Sequence, residues 1–377
     1  MNVDRWLLPD GVEEILPARA QGVEQLRRQL LDHYAHWGYE LVIPPLVEFT
    51  ESLFSGVGRD LERLTLKVTD QLSGRMMGLR ADMTPQAARM DAHSFVRQGP
   101  NRLCYAGHVV HAKPKSPLAI RTPLETGVEL FGEAGLEADI EVISLLLESL
   151  SNAKVDKLTL DLGHVGIYRA LIESIGLSAA QEKALFAILQ TKDTVELQQW
   201  LASNELTVES RQWLLALSAL SGDRSVLAQA QHTLAEAPAE VHAAIDELQA
   251  IEVVIAERYP GINVYFDLSE LRGYHYHTGI VFAAYAEGYG DAIANGGRYD
   301  HIGEAFGRAR PATGFSINLT SVVTLLSAQQ VPSSGTAAGI YASASTDAEQ
   351  WQAIQKLRAQ GERVVCGLSG DAPNVMS

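Results

Sequence analysis

Strand-like patterns occupy the first 160 or so residues and resume near residue 262, but between about 165 and 257 they vanish. This interruption constrains the fold most. Leu, Ala and Gln dominate the interval and polar residues recur every few positions, the pattern of several short helices. Its tryptophans, Trp200 and Trp213, read as core residues of that helical region. The chain is therefore expected to be α+β, with an antiparallel sheet flanked by helices and broken by an all-α insertion. Its 377 residues allow two or three structural units.

Locally, Pro9, Gly11 and Pro17 mark a loop. Val23, Leu26, Leu30, Leu31 and Tyr34 then share a helical face that Gly38 ends. Leu41-Val42-Ile43 reads as a short buried strand stopped by Pro44-Pro45. Residues 64–69 and 75–80 form a hairpin about Gln71-Leu72-Ser73-Gly74. Thr84 and Pro85 fit the cap and first position of a helix. Strands follow near 103–111 and 126–131, a helix at 138–150 and a strand at 157–162. After the insertion, strands are expected at 262–266, 279–285, 292–295 and 313–317, then a helix at 319–328. Pro332-Ser333-Ser334-Gly335-Thr336 is a linker. The tail reads strand (338–342), helix (346–359), strand (363–366), too short for a complete domain. The expected divisions are thus 1–164, 165–257, 258–330 and 331–377.

A net charge of −16 argues against a broad nucleic-acid surface, since backbone phosphates are met by Lys and Arg. Cys104 and Cys366 are far apart and belong to no Cys/His cluster, so each is expected to be a buried thiol rather than half of a disulfide or a zinc ligand. No signal pattern opens the chain and no apolar run approaches the roughly 20 residues that span a bilayer, so a cytoplasmic location with no membrane contact is expected.

Six segments carry the chemistry. They are Gly38–Glu48; Leu79-Arg80-Ala81-Asp82-Met83-Thr84-Pro85; Arg102–Lys113 with Leu124–Gly132; Leu271-Arg272-Gly273-Tyr274-His275-Tyr276-His277; Ala294-Asn295-Gly296-Gly297-Arg298-Tyr299-Asp300; and Gly314-Phe315-Ser316-Ile317-Asn318-Leu319-Thr320-Ser321. Asp82 either binds a cation or caps the helix at Thr84. Glu125 and Glu129, four apart on a strand, point to one face and either converge on a cationic ligand or face solvent. His275 and His277 would share a strand face, but with no third ligand in the sequence a metal site is not expected.

In order and spacing, over about residues 5–328, these segments resemble the catalytic domain of class II aminoacyl-tRNA synthetases, specifically the histidyl enzyme. Gly38–Glu48 resembles the first signature of that class, which forms its dimer interface. Leu79–Thr84 resembles the family's Leu-Arg-Pro-Glu-x-Thr, Leu124–Gly132 its Gln-x-x-x-Glu-x-x-Gly, and Leu271–His277 its Arg-Gly-Leu-Asp-Tyr-Tyr. Two arginines that such a site aims at ATP are replaced, by His111 in the second signature and by Ser321 in the third. Histidine is shorter and lacks the bidentate fork, and serine carries no charge. Lys113 and Lys115 could supply charge but not that geometry.

The combination resembles the regulatory-subunit family of ATP phosphoribosyltransferase, paralogues of that synthetase. The resemblance implies no catalytic residue, no cofactor and no tRNA. It implies a short-form catalytic subunit as partner in a hetero-octamer, which this chain activates and through which histidine feeds back on the first step of histidine biosynthesis. It implies dimerisation through 38–48, and a histidine pocket drawn from Asp82, Thr84, Tyr105, Glu125, Glu129, Arg272 and Tyr276. The alternatives are a diverged histidyl-tRNA synthetase, and another synthetase-like enzyme or histidine sensor. The two arginine losses, the acidic charge and the missing length of an anticodon-binding domain weigh against an active synthetase.

Overall fold

The computed structural model describes residues 7–56, 59–114, 119–274, 276–328 and 339–368. Helix α1 (Pro17–His36) leads to β1 (Glu40–Leu41), β2 (Val47–Phe49), α2 (Thr50–Leu53), α3 (Arg59–Leu64), β3 (Leu66–Thr69), β4 (Met76–Leu79) and α4 (Thr84–His93). Next come β5 (Asn101–His108), β6 (Leu124–Phe131), α5 (Leu136–Asn152) and β7 (Leu158–His164). The helical stretch holds α6 (Val165–Ile175), α7 (Ala179–Thr191), α8 (Thr194–Ser203), α9 (Val208–Ala219), β8 (Ser221–Gly222), α10 (Ser225–Thr233) and α11 (Ala239–Arg258). The chain returns through β9 (Asn263–Asp267), β10 (Ile280–Ala286), β11 (Ala294–Arg298), β12 (Ala312–Asn318) and α12 (Leu319–Ala328).

Two compact units result, Met1–Leu326 and Ser327–Ser377. The second contains β13 (Ile340–Ala342), α13 (Ala348–Ala359) and β14 (Val364–Cys366), with β13 and β14 paired in parallel as a β-α-β unit requires.

The main sheet has the order β1-β5-β6-β12-β11-β10-β7-β9-β8. It is antiparallel from β5 through β7, but mixed as a whole, because β1 pairs with β5 and β7 with β9 in parallel. The β7–β9 pairing follows from the insertion: α6 to α11 form a crossover long enough to bring the chain back beside β7 in the same direction. The insertion is not free of strand, since Ser221–Gly222 adds an edge pairing to β9. A separate three-stranded sheet, β2-β4-β3, contains the expected hairpin.

One face of the main sheet carries Val128, Leu130, Phe315 and Ile317 into a large core shared with Leu26, Leu30 and Tyr34 of α1 and with Val142, Leu145 and Leu146 of α5. Helix α1 ends as the sequence requires, with Gly38 at φ +82°, where a side chain would be strained. Strand β1 departs from expectation. Leu41 is 54% and Ile43 83% exposed, and only Val42 is buried, because an edge strand beside β5 turns alternate residues to the core.

The opposite face carries Glu129 beneath a second, smaller core, in which Met83 and, on α4, Ala87 pack with Leu103, Tyr105 and Tyr299. Direct register aligns Leu103 with Glu129, Glu129 with Gly314, and Gly314 with Gly297 across β5, β6, β12 and β11. Glycine here is a matter of space. A Cβ at Gly314 would lie on the Glu129 carboxylate, one at Gly127 against the Tyr105 ring, and one at Gly297 against His277. The glycine rows let those side chains lie flat on the sheet.

Candidate functional site

Glu129 is the polar hub of this second face. It is 1% exposed on β6. Its Oε1 accepts hydrogen bonds from the Thr84 hydroxyl at 2.7 Å and the Tyr105 hydroxyl at 2.9 Å, and its Oε2 accepts one from the Tyr299 hydroxyl. Burial pushes the Glu129 carboxyl up to about 8, against the pull of the three hydroxyls. Helix α4 positions Thr84, and here the expectation is corrected. Thr84 does not cap its helix; its hydroxyl is committed to Glu129. The Thr84 N–H instead donates to Asp82 Oδ1 at 3.0 Å, an Asx turn just before the helix, whose N-cap Met83 makes no side-chain cap bond.

The second component is the turn at 271–279, which lies between β9 and β10 and is not a strand. Gly273 at φ +65° reverses the chain, and the Tyr276 and His277 N–H groups both donate to the Gly273 carbonyl, at 2.7 and 2.8 Å. The shared strand face proposed for His275 and His277 therefore does not exist at His277, and His275 lies outside the described residues. The turn stacks Tyr276 on Tyr299, with centroids 5.0 Å apart at 25°. The Tyr276 hydroxyl is buried beside Asp82 and Glu129, yet has no hydrogen-bond partner among the described residues. Burial lowers the His277 imidazole to about 4, so it is neutral at physiological pH.

Arg272 extends the site along the sheet. It donates to Asn295 Oδ1 at 2.9 Å, to the Tyr285 hydroxyl at 3.0 Å and to Glu270 Oε2 at 3.1 Å. Arg272, Glu270 and Asn295 line a shallow cleft together with Asp161, His277 and Gly296. Burial, reinforced by Asp267 and Glu270, raises the Asp161 carboxyl to about 6.

The other end of β6 differs in kind. His111 is 2% exposed, and its Nε2 lies 3.1 Å from the Ala81 carbonyl, so the ring is turned into the protein. Ser321, at the start of α12, accepts a hydrogen bond from the Tyr289 hydroxyl at 2.7 Å. Nearby guanidinium groups are committed to main-chain carbonyls: Arg80 to His108 and Pro44, Arg121 to His111 and Asp10. Glu125 lies across from Gly107 and Asn318, on the same face as Glu129 but four residues nearer this end. Lys115 lies outside the described residues.

Of the residues singled out by sequence, Thr84, Tyr105, Glu129 and Tyr276 meet in one cluster with Asp82 at its margin. Arg272 sits in the adjoining cleft, and Glu125 toward the other end. Sequence reasoning missed Tyr299, the third hydroxyl on Glu129, although it lies inside the quoted glycine-rich stretch. It also missed Asp161, Glu270 and Asn295. Among the described residues no helix is long and apolar enough to cross a membrane.

Comparison with known proteins agrees with this geometry. The family model described as histidyl-tRNA synthetase matches residues 11–322, and that described as the ATP phosphoribosyltransferase subunit HisZ C-terminal domain matches 337–376. An ATP phosphoribosyltransferase regulatory subunit of Saccharophagus degradans is 58% identical over 98% of this chain and 93% of its own length. One of Pseudomonas aeruginosa is 53% identical over 98% and 92%. A crystal structure described as an ATP phosphoribosyltransferase regulatory subunit/histidyl-tRNA synthetase from Bacillus halodurans superposes with a TM-score of 0.86 at 27% identity, covering 98% of this chain and 94% of that one. A histidyl-tRNA synthetase from Nostoc shares the fold, with a TM-score of 0.78 at 19% identity over 98% and 87%. Identity at this level over nearly the whole length places the chain in the family of ATP phosphoribosyltransferase regulatory subunits.

Proposed function

We propose that this chain activates the short-form catalytic subunit of ATP phosphoribosyltransferase, at the first step of histidine biosynthesis, and passes histidine inhibition to it without catalysing a reaction itself. The observation that carries the reading is the contrast around β6. A buried carboxyl ringed by three hydroxyls, with the unpartnered Tyr276 hydroxyl aimed beside it, suits a small ligand with a ring nitrogen or ammonium. The positions where a synthetase aims arginine at ATP hold a buried imidazole and a serine hydroxyl.

In this proposal Glu129 and Tyr276 meet the imidazole of free histidine, Asp82 and Thr84 lie at its ammonium, Tyr105 forms a wall, and Glu125 adds negative charge. Arg272 holds the carboxylate, for which Glu270 competes in the free protein. Exposed Leu41, Ile43 and Leu46 support self-association through 38–48 within a cytoplasmic hetero-octamer that engages no tRNA.

Calorimetry with free histidine, on the isolated chain and on the complex, tests the pocket. Binding to both, abolished by Tyr276→Ala, is expected. Binding to the complex alone would move the ligand to the junction between subunits. Histidine-dependent pyrophosphate exchange by the purified chain would overturn the non-catalytic reading.

A further inference from the structure

The turn at 271–278 delivers Arg272 and Tyr276 to the site. The sheet holds it at Thr278, whose N–H donates to the Arg298 carbonyl at 2.8 Å and whose hydroxyl donates to Asp300 at 2.8 Å, and through Arg272 on Asn295 and Tyr285. A second set of restraints comes from the first two helices of the insertion. Arg169 on α6 donates through its two terminal nitrogens to three carbonyls of the turn: His277 at 3.0 Å, Tyr274 at 3.4 Å and Thr278 at 3.4 Å. Its guanidinium also lies 5.3 Å from the centre of the Tyr274 ring. That ring is packed between insertion residues, edge-on to Tyr168 at 5.1 Å and tilted on Phe186 at 5.5 Å. The Tyr274 hydroxyl donates to Glu182 on α7 at 3.1 Å. Just upstream, Lys192 at the end of α7 pairs with the buried Asp267 at the end of β9. Every contact of this second set joins the insertion to the segment that carries Arg272 and Tyr276.

We propose that the helical insertion acts as a clamp that fixes the ligand-facing conformation of the 271–278 turn, with Arg169 as the positioning residue. Arg169 touches main chain rather than the proposed ligand. Its planar fork reaches three carbonyls that converge from one turn, a geometry that a single ammonium cannot reproduce. A displacement of α6 and α7 therefore lowers the affinity for histidine, and by linkage histidine resists that displacement. The ligand half of the proposal rests on histidine occupying the Glu129 pocket; the clamp itself does not.

The test compares Arg169→Met and Arg169→Lys with the wild-type chain, free and in complex with the catalytic subunit. In the free chain, amide hydrogen exchange at Tyr276, His277 and Thr278 should quicken by about tenfold or more in Arg169→Met, while β6 and β12 keep their protection. In the complex, histidine should bind about tenfold more weakly to Arg169→Met, with partial recovery in Arg169→Lys, while activation without histidine is unchanged. Wild-type exchange in the turn of Arg169→Met overturns the clamp. So does a general loss of protection across α6 and β7 with loss of activation, which would mark Arg169 as a packing residue only. A wild-type complex that takes up no histidine sinks the pocket reading, and the exchange comparison still decides the clamp.

Discussion

The two ends of β6 show what separates recognising a small polar molecule from activating a triphosphate. Around Glu129 the groups are hydroxyls, a carboxyl and stacked rings, held at hydrogen-bond distance over a floor of glycines. Around Glu125 the cations are present but occupied, with Arg80 and Arg121 bound to main-chain carbonyls, and positions 111 and 321 carry no guanidinium. Recognition needs a shaped, buried set of donors and acceptors. Phosphate chemistry needs charge aimed outward, because preorganised cations and dipoles stabilise the transition state. The first set can persist after the second is lost, since the two share a sheet but no side chain.

The largest effect that would break this comparison lies at Glu129. Its carboxyl is held at about 8, above the ordinary 4.5, because burial disfavours the charged form. The neutral form is thus favoured by folding. The associated stability is fully present below about 4.5, declines as the pH rises, and is lost once the pH passes about 8. Glu129→Gln should flatten that slope in denaturant melts at a series of pH values, and should weaken histidine binding by about tenfold or more. A slope the variant shares with wild type would mean that the carboxyl is not the buried hub described.

A smaller effect is expected at the other end. Ser321→Arg places a guanidinium on α12 at a partly buried position and should tighten ATP binding by up to about tenfold, read by calorimetry, without producing pyrophosphate exchange. His111→Arg is the harder restoration. The ring is buried against Ala81, and a longer side chain there would overpack by about 1–3 kcal/mol. A Ser321→Arg chain that binds ATP no better would show that charge is not what this end lacks.

The reach of the sequence follows the same division. Period-two strands and glycine-punctuated turns are local, and most strands were legible one by one along the chain, as were Glu129, Tyr105 and Tyr276 as candidates. Long-range pairings were hidden. The parallel β7–β9 pair depends on where an insertion of six helices returns the chain, and Ser221–Gly222 has no strand pattern of its own. His275 and His277 were read as sharing a strand face, yet at Gly273, with φ at +65°, the chain turns instead. Tyr299 was legible only as part of a turn, because its bond to Glu129 spans 170 residues.

The smallest effect discriminates most finely, because two tyrosines stacked 5.0 Å apart should respond in opposite ways. Tyr299 donates to Glu129, so Tyr299→Phe removes a hydrogen bond from a buried carboxyl and should cost about 1–2 kcal/mol of stability. Tyr276 has a buried hydroxyl without a partner among the described residues, and Tyr276→Phe should leave the free protein as stable as before, or more stable by up to about 1 kcal/mol. With histidine present the order reverses for Tyr276, since a donor idle in the free protein becomes one that binds ligand. Histidine should then raise the melting temperature of Tyr276→Phe less than that of wild type. Equal histidine-induced shifts in the two would place the ligand away from Tyr276 and erase the contrast between the two ends of β6.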